Sequence, residues 1–364
     1  MVVVVGAGPA GLATGYYLQQ KKIPYTILET HSVGYAWQNH YDSLRLHTLK
    51  QVSALPGLPM PKSYPRFPSR KQVLQYLRDY ADHFHLIIKE GVHVQEAIYH
   101  KYHHEWHIKA SRGEYLAEIL VVATGIWSTP YRPELPGEAA FGGEILHAND
   151  YQNAEPFKGQ KVLVVGAGNS GTEIAVELAE SDIDTSIVVR SGTSFIPYPE
   201  STRAVELGAW MYRHLPDRLG SVLLARSRRK FDHLGLPWPN RPLSQVYPVV
   251  GYELPDAVEK GKVTVYQSEI QQLSDHKVTF KDGHTDVFDV IIMATGYRPT
   301  IDFIRGELEL NHKGWPLLKN WHSIKNDRLY CVGFSYPSTE GWLQALPRVA
   351  NEAVNHMAKT LQDA

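Results

Sequence analysis

Six glycines, set out as two copies of one spacing, are the residues of this chain best suited to hold a charged ligand. Gly6-Ala-Gly8-Pro-Ala-Gly11 and Gly166-Ala-Gly168-Asn-Ser-Gly171 each read GxGxxG, 160 residues apart. In such a turn the first glycine permits a tight bend, the second lets the backbone approach a pyrophosphate, and the third lets the following helix pack close to the strand. The phosphates then rest on a helix N-terminus, where free N–H groups and the positive dipole end stabilise negative charge. The residue that closes the next strand separates the copies. Glu29 stands 23 residues beyond Gly6, where a carboxylate can accept hydrogen bonds from an adenosine ribose. Arg190, with Ser191 beside it, stands 24 residues beyond Gly166, where a cation would meet a ribose 2′-phosphate. The first copy therefore suits FAD or NAD, and the second suits NADPH.

Other chemistry is excluded by the same inspection. The single cysteine, Cys331, rules out a disulfide framework, a cysteine-ligated zinc site and a CxxC redox pair, and so removes thioredoxin-reductase-like chemistry from a chain with twin dinucleotide motifs. It also fits a reducing compartment, which makes the cytoplasm the expected location. His100, His103, His104 and His107 fall in the alternating stretch 97–108, with Trp106 and Ile108 interleaved, which predicts an exposed hairpin and no metal site. Lys and Arg total 37 against 38 Asp and Glu, so no net field draws the chain to nucleic acid or to an anionic membrane. The run from Arg226 to Lys230 reads as a solvated helix face. No stretch reaches the 18 or so apolar residues of a membrane span. A small-molecule task is the remaining expectation.

The elements that must position these residues are legible as apolar runs. Val2–Val5 and 161–165 carry no polar interruption inside, as strands buried on both faces of a parallel sheet should. Helices are predicted over 12–20 and 172–181, and second strands over 24–28 and 185–189. Ile119–Val122 leads into Ala123-Thr124-Gly125, and Val290–Met293 leads into Ala294-Thr295-Gly296, each a buried strand ending in small residues that leave room for a cofactor or a chain crossover. Ser69 and Gln72 occupy capping-box positions before a helix that places Val73, Leu77 and Tyr80 on one face. Five prolines between Pro56 and Pro68 mark a loop on the route to the first motif. The stretches 192–203 and 236–248 are candidate lid loops. At 364 residues and 43% hydrophobic composition, the chain has room for about two ordered domains.

Between the two copies, Phe141-Gly-Gly143-Glu-Ile-Leu-His147-Ala-Asn-Asp-Tyr151 fits F-x-G-x-x-x-H-x-x-x-Y at every fixed position. It resembles the fingerprint of the class B flavoprotein monooxygenases, and the terminal Tyr151 resembles their flavin-containing monooxygenase branch. Gly34-Tyr-Ala-Trp37, Leu44-Arg-Leu-His-Thr48 and Ala294-Thr-Gly-Tyr-Arg-Pro299 are similar to further motifs of that family, and the segment from Gly235 to Lys262 resembles its bacterial and plant YUCCA-type members. The resemblance implies an α/β chain of two Rossmann-like dinucleotide-binding domains, the NADPH domain (154–294) being inserted into a discontinuous FAD domain (1–153 and 295–364). It implies FAD contacts from Gly6, Gly8, Pro9, Ala10, Gly11, Glu29, Gly34, Trp37, Leu46, Thr48, Val94, Ala123, Thr124, Gly125, Gly333, Phe334 and Leu343. It implies NADPH contacts from Gly166, Gly168, Asn169, Ser170, Gly171, Arg190, Ser191, Ala294, Thr295 and Gly296. A helix from about Gly341 would direct its N-terminus at the flavin.

The activity implied is reduction of flavin by NADPH, formation of a C4a-hydroperoxyflavin with O₂, and oxygenation of a small N-, S- or carbonyl-containing substrate. No nucleic acid or membrane partner is expected, and a homodimer is compatible with the sequence. His47 falls where several family members place an Asn and is the candidate catalytic hydrogen-bond donor; as an imidazolium it would also assist peroxide departure. Arg45 is the second catalytic candidate, a structural ion pair being its other reading. Phe141, Gly143, His147 and Tyr151 are expected to couple the domains and influence NADPH binding without taking part in the chemistry. Two alternatives stand beside the monooxygenase: an NADPH oxidase or flavin reductase releasing H₂O₂, and a transport-associated regulatory flavoprotein.

Overall fold

The computed structural model describes residues 1–214, 228–240, 243, 246–304, 306–312, 314–334 and 342–362. Two sheets organise it, the first mixed with a parallel centre and the second all parallel. Across the first sheet the order is Leu318–Lys319, His322–Ser323, Leu329–Cys331, Ile119–Val122, Val2–Val5, Tyr25–Leu28 and Ile88–Lys89. Val2–Val5 lies at the centre, parallel to Tyr25–Leu28 on one side and Ile119–Val122 on the other, and every residue of these three strands is buried. That burial on both faces explains why the runs are almost wholly apolar, Thr26 being the one polar side chain in them. Leu329–Cys331 joins parallel to Ile119–Val122, so the C-terminal part of the chain returns to complete the sheet begun by residue 2.

The second sheet repeats the plan in the order Val263–Tyr266, Asp184–Val188, Lys161–Val165, Val290–Met293 and Glu144–His147, all parallel. Glu144–His147 thus pairs in the second sheet, although the sequence boundary at 153 counts it with the first unit. Its partner is Val290–Met293, which no local pattern could announce.

Both motif helices begin earlier than their apolar spacing suggests. The first runs Pro9–Gln20 and the second Asn169–Glu180. Proline at the first helical position has its φ already set and no N–H to leave unpaired, so the helix starts on the motif itself. The first helix packs with Arg70–His83 and Trp342–Gln362 on one face of the first sheet.

The histidine stretch forms two strands of a three-stranded antiparallel sheet, Val94–His100, Glu105–Ala110 and Gly113–Ala117. Trp106 and Ile108 are buried in the core while His100 and His107 are exposed, their rings 4.1 Å apart. Among the described residues no group of His, Cys, Asp and Glu could hold a metal ion, and no helix is long and apolar enough to cross a membrane.

The chain crosses between the two sheets at Thr129–Pro130 and back at Tyr297–Arg298, and these short strands pair antiparallel with each other. Thr124 Oγ1 donates to Thr300 O at 2.8 Å, Thr295 Oγ1 donates to Tyr131 O, and the Arg298 guanidinium lies over the Tyr131 ring.

Candidate functional site

Both glycine turns have the geometry a dinucleotide needs. Gly6 and Gly166 hold φ of +105° and +112°, and a Cβ on Gly11 or on Gly171 would fall 1.9 Å from the preceding first-glycine carbonyl oxygen. No other residue fits there. A Cβ on Gly8 or on Gly168 meets nothing within 4 Å, so the second glycine of each turn faces open space. Neither helix N-terminus is capped by a side chain and neither has an acidic residue in its first turn, which leaves the N–H groups available to an anion. The residues present fit a pyrophosphate at both turns.

Of the expected flavin contacts, Glu29, Gly34 and Ala123 touch the first turn directly. Glu29 accepts from the backbone N–H of Ala7 at 2.7 Å and of His31 at 2.9 Å, which fixes its carboxylate beside the glycines. Gly34 N–H donates to Ala7 O, bringing the segment that carries Trp37 to the same place. Ala123 lies against Gly6 and Gly11, Thr124 is tied to the crossover, and Gly125 follows at φ +82°. Leu46 and Leu343 belong to the core cluster that includes Ala7 and Ala10; Val94 and Phe334 belong to the cluster on the opposite face with Val5. Thr48 Oγ1 is bonded to Ser53 Oγ, and Gly333 follows the last strand of the sheet. Gly341 lies outside the described residues. Tyr76 and Tyr80 serve the proline-rich loop, donating to Leu58 O and Pro56 O, and the Lys50 ammonium donates to the carbonyls of Pro61, Lys62 and Tyr64.

On the second turn Ala294 takes the place that Ala123 takes on the first. Arg190 and Ser191 project, exposed, just beyond the strand Asp184–Val188. Asn169 is engaged elsewhere: its Nδ2 donates to Pro248 O and its Oδ1 accepts from Val250 N–H, so it fixes a neighbouring loop. Ser170 hydrogen-bonds the Tyr41 hydroxyl.

The fingerprint residues pack among the second sheet, its loops and the crossover. His147 Nδ1 accepts from Asn149 N–H at 3.0 Å, so the proton sits on Nε2, which donates to Gly296 O at 3.1 Å. Burial lowers its pKa and keeps the imidazole neutral for both bonds. A Cβ on Gly143 would fall 2.2 Å from Asp289 O, and Phe141 packs at the Asp275 bridge beside His276. Tyr151 is fully buried and stacked on Phe157.

His47 and Arg45 line a cavity of about 330 Å³ between the two units, opposite Glu173, Glu177 and Tyr198. His47 Nε2 is 2.5 Å from Glu173 Oε1, and Tyr41 Oη donates to Glu173 Oε2 at 2.8 Å. Burial alone would pull the His47 pKa down, but the charge and hydrogen bond of Glu173, with Glu253 behind them, hold it above the ordinary 6.5. Ser43 donates to Glu177, and Arg66 donates to Pro199 O at 2.7 Å while Phe67 packs on Tyr198. The loop 41–48 and the second motif helix are therefore latched together. Glu173 has no signature in the sequence, since its partners lie 126 and 132 positions away.

Cys331 is buried, and burial pushes its thiol pKa up, so it offers no thiolate. Of the basic run, Arg226 lies outside the described residues; Arg228 is buried, so the run is not a solvated helix face.

A family model described as pyridine nucleotide-disulphide oxidoreductase matches residues 3–211. The chain is 34% identical to the probable indole-3-pyruvate monooxygenase YUCCA7 of Arabidopsis thaliana, over 97% of this chain and 87% of the relative. It is likewise 34% identical to the indole-3-pyruvate monooxygenase YUCCA1 of Oryza sativa, over 92% and 86%. Among solved structures, a flavin-containing monooxygenase from Stenotrophomonas maltophilia aligns with a TM-score of 0.77 at 26% identity, covering 99% of this chain and 98% of that one. The bacillithiol disulfide reductase of Staphylococcus aureus aligns at 0.72 with 16% identity over 98% of both chains, a likeness of fold.

Proposed function

The chain belongs to the class B flavin monooxygenases, and on that premise we propose that it binds FAD at the first glycine turn and NADPH at the second, and oxygenates a small N-, S- or carbonyl-containing molecule. When bound, the flavin supplies oxygen activation and the nicotinamide supplies reducing electrons. The chain's own residues bind, orient and exclude water. Glu29 faces the FAD ribose, Arg190 and Ser191 face the NADPH 2′-phosphate, and the uncapped helices hold the two pyrophosphates. In this reading 1–153 with 295–364 form the FAD unit and 154–294 the NADPH unit, with Glu144–His147 moving with the latter because it pairs in its sheet.

The observation that carries the reading is the duplicated open turn followed by a carboxylate in one copy and a guanidinium in the other. Among substrates, the names of the plant relatives favour a carbonyl compound of the aryl-2-oxo-acid kind. The test is to supply NADPH and O₂ with indole-3-pyruvate, a tertiary amine or a sulfide, and to measure oxygenated product against H₂O₂. Product with one of the three classes supports a monooxygenase. Stoichiometric H₂O₂ with every one of them supports the oxidase. That second reading draws on His47, whose pKa Glu173 helps to raise and whose imidazolium, once formed, can donate a proton in the cavity.

A further inference from the structure

We propose that Arg228 is a positioning residue for recognition of the adenosine 2′-phosphate, acting through Ser194 on the turn that carries Arg190 and Ser191; the proposal rests on the NADPH reading above. Arg228 is only 8% exposed. Its Nη1 donates to Ser194 Oγ, and its Nε–H is buried with no partner. Among the described residues no carboxylate forms a salt bridge with it. Burial pulls its pKa down to about 10, so it is still a cation at neutral pH. A buried cation that no described carboxylate neutralises is costly, and an arriving anion relieves that cost.

The turn from Arg190 to Ser194 connects this cation to the nucleotide site. Thr193 Oγ1 donates to Ala167 O, inside the second glycine turn, at 3.4 Å, and Thr193 N–H donates to Pro237 O at 2.9 Å. Ser194 is fully buried and its carbonyl accepts from Val249 N–H. Gly192 presses against Trp238 and Pro239, whose backbone a Cβ would meet at 2.3 Å. Of the two cations after Arg228, Lys230 lies over the ring of Trp238, which backs Gly192, and Arg229 over the Tyr252 ring, each at 5.3 Å. The turn is thus wedged between the glycine motif and a basic segment, and Arg228 fixes its far end. A 2′-phosphomonoester is the anion that this arrangement would distinguish from a free hydroxyl.

Calorimetric titration of the flavin-loaded protein with adenosine 2′,5′-bisphosphate and with 5′-AMP tests this. The wild type should prefer the bisphosphate. Arg228→Gln and Ser194→Ala should each cut that preference about tenfold, the loss expected for one charge-assisted bond, while leaving 5′-AMP affinity unchanged; Arg228→Lys should recover part of it. In turnover the same variants should raise KM for NADPH and leave kcat alone. Ser194→Ala removes one oxygen and keeps the result readable should Arg228→Gln fold poorly. The inference is overturned if both variants keep the wild-type preference while Arg190→Ala loses it. A wild type with no preference would sink the NADPH reading and this inference with it, a result distinguishable because it needs no variant.

Discussion

Glu29 follows its strand directly and Arg190 comes one residue later after the corresponding strand; the two are held very differently, and that difference sets what their loss should do. Glu29 is pinned by two backbone N–H groups, whereas Arg190 is exposed. Arg190→Ala should raise KM for NADPH about tenfold or more and barely move that for NADH; equal shifts for the two would remove Arg190 as the phosphate reader. At His47 the prediction concerns pH. Its folded pKa is raised, so the stability it contributes is complete below about pH 6.5 and is lost as pH rises through the raised value. Comparing melting temperatures of the wild type and His47→Gln across pH should show an advantage in acid that fades in base, and an advantage constant with pH would refute it. Glu29 and Arg190 could be read from the sequence because each lies one strand beyond its own motif. The Glu173 partner of His47 could not, because nothing local marks a carboxylate that meets its histidine 126 positions away.

Elements were legible where burial is continuous and obscure where it alternates weakly. The central strands of both sheets announce themselves, since residues such as those of Val2–Val5 are hidden on both faces. Gly113–Ala117 carries Glu114 and Tyr115 and only one buried residue, so the third strand beside the histidine hairpin has no comparable signal. The two open turns make a paired prediction. Gly171→Ala puts a methyl 1.9 Å from Gly166 O and should lower thermal stability and abolish nucleotide binding together. Gly168→Ala meets no protein atom within 4 Å, so it should weaken NADPH binding while leaving the melting temperature nearly unchanged. Parallel melting and binding curves settle it; equal destabilisation by both would mean that the second glycine is structural.

For the molecule as a whole, the arrangement of units depends on contacts that no segment encodes alone. Glu173 receives Tyr41 and His47 from the first unit, and Ser43 reaches Glu177 one helical turn further on. Glu173→Ala should cost on the order of 2 kcal/mol and slow flavin reduction by NADPH in stopped flow, with NADPH affinity unchanged; unaltered reduction would mean the latch is irrelevant to turnover. The discontinuous plan is what the family resemblance implies, while the pairing of Glu144–His147 with the second sheet has no sequence signal at all, because sheet partners are chosen in three dimensions. The adjacency of the two crossings has a further meaning for the history of such a chain. Thr129–Pro130 and Tyr297–Arg298 are hydrogen-bonded neighbours, so the gap left by excising everything between them is about one strand spacing, some 5 Å. A short turn could close that gap without disturbing the host sheet. The segment between the crossings thus has its ends side by side, so exchanging it would need one chain junction together with new partners for Tyr41, Ser43, His47 and Arg66, which bond across to it.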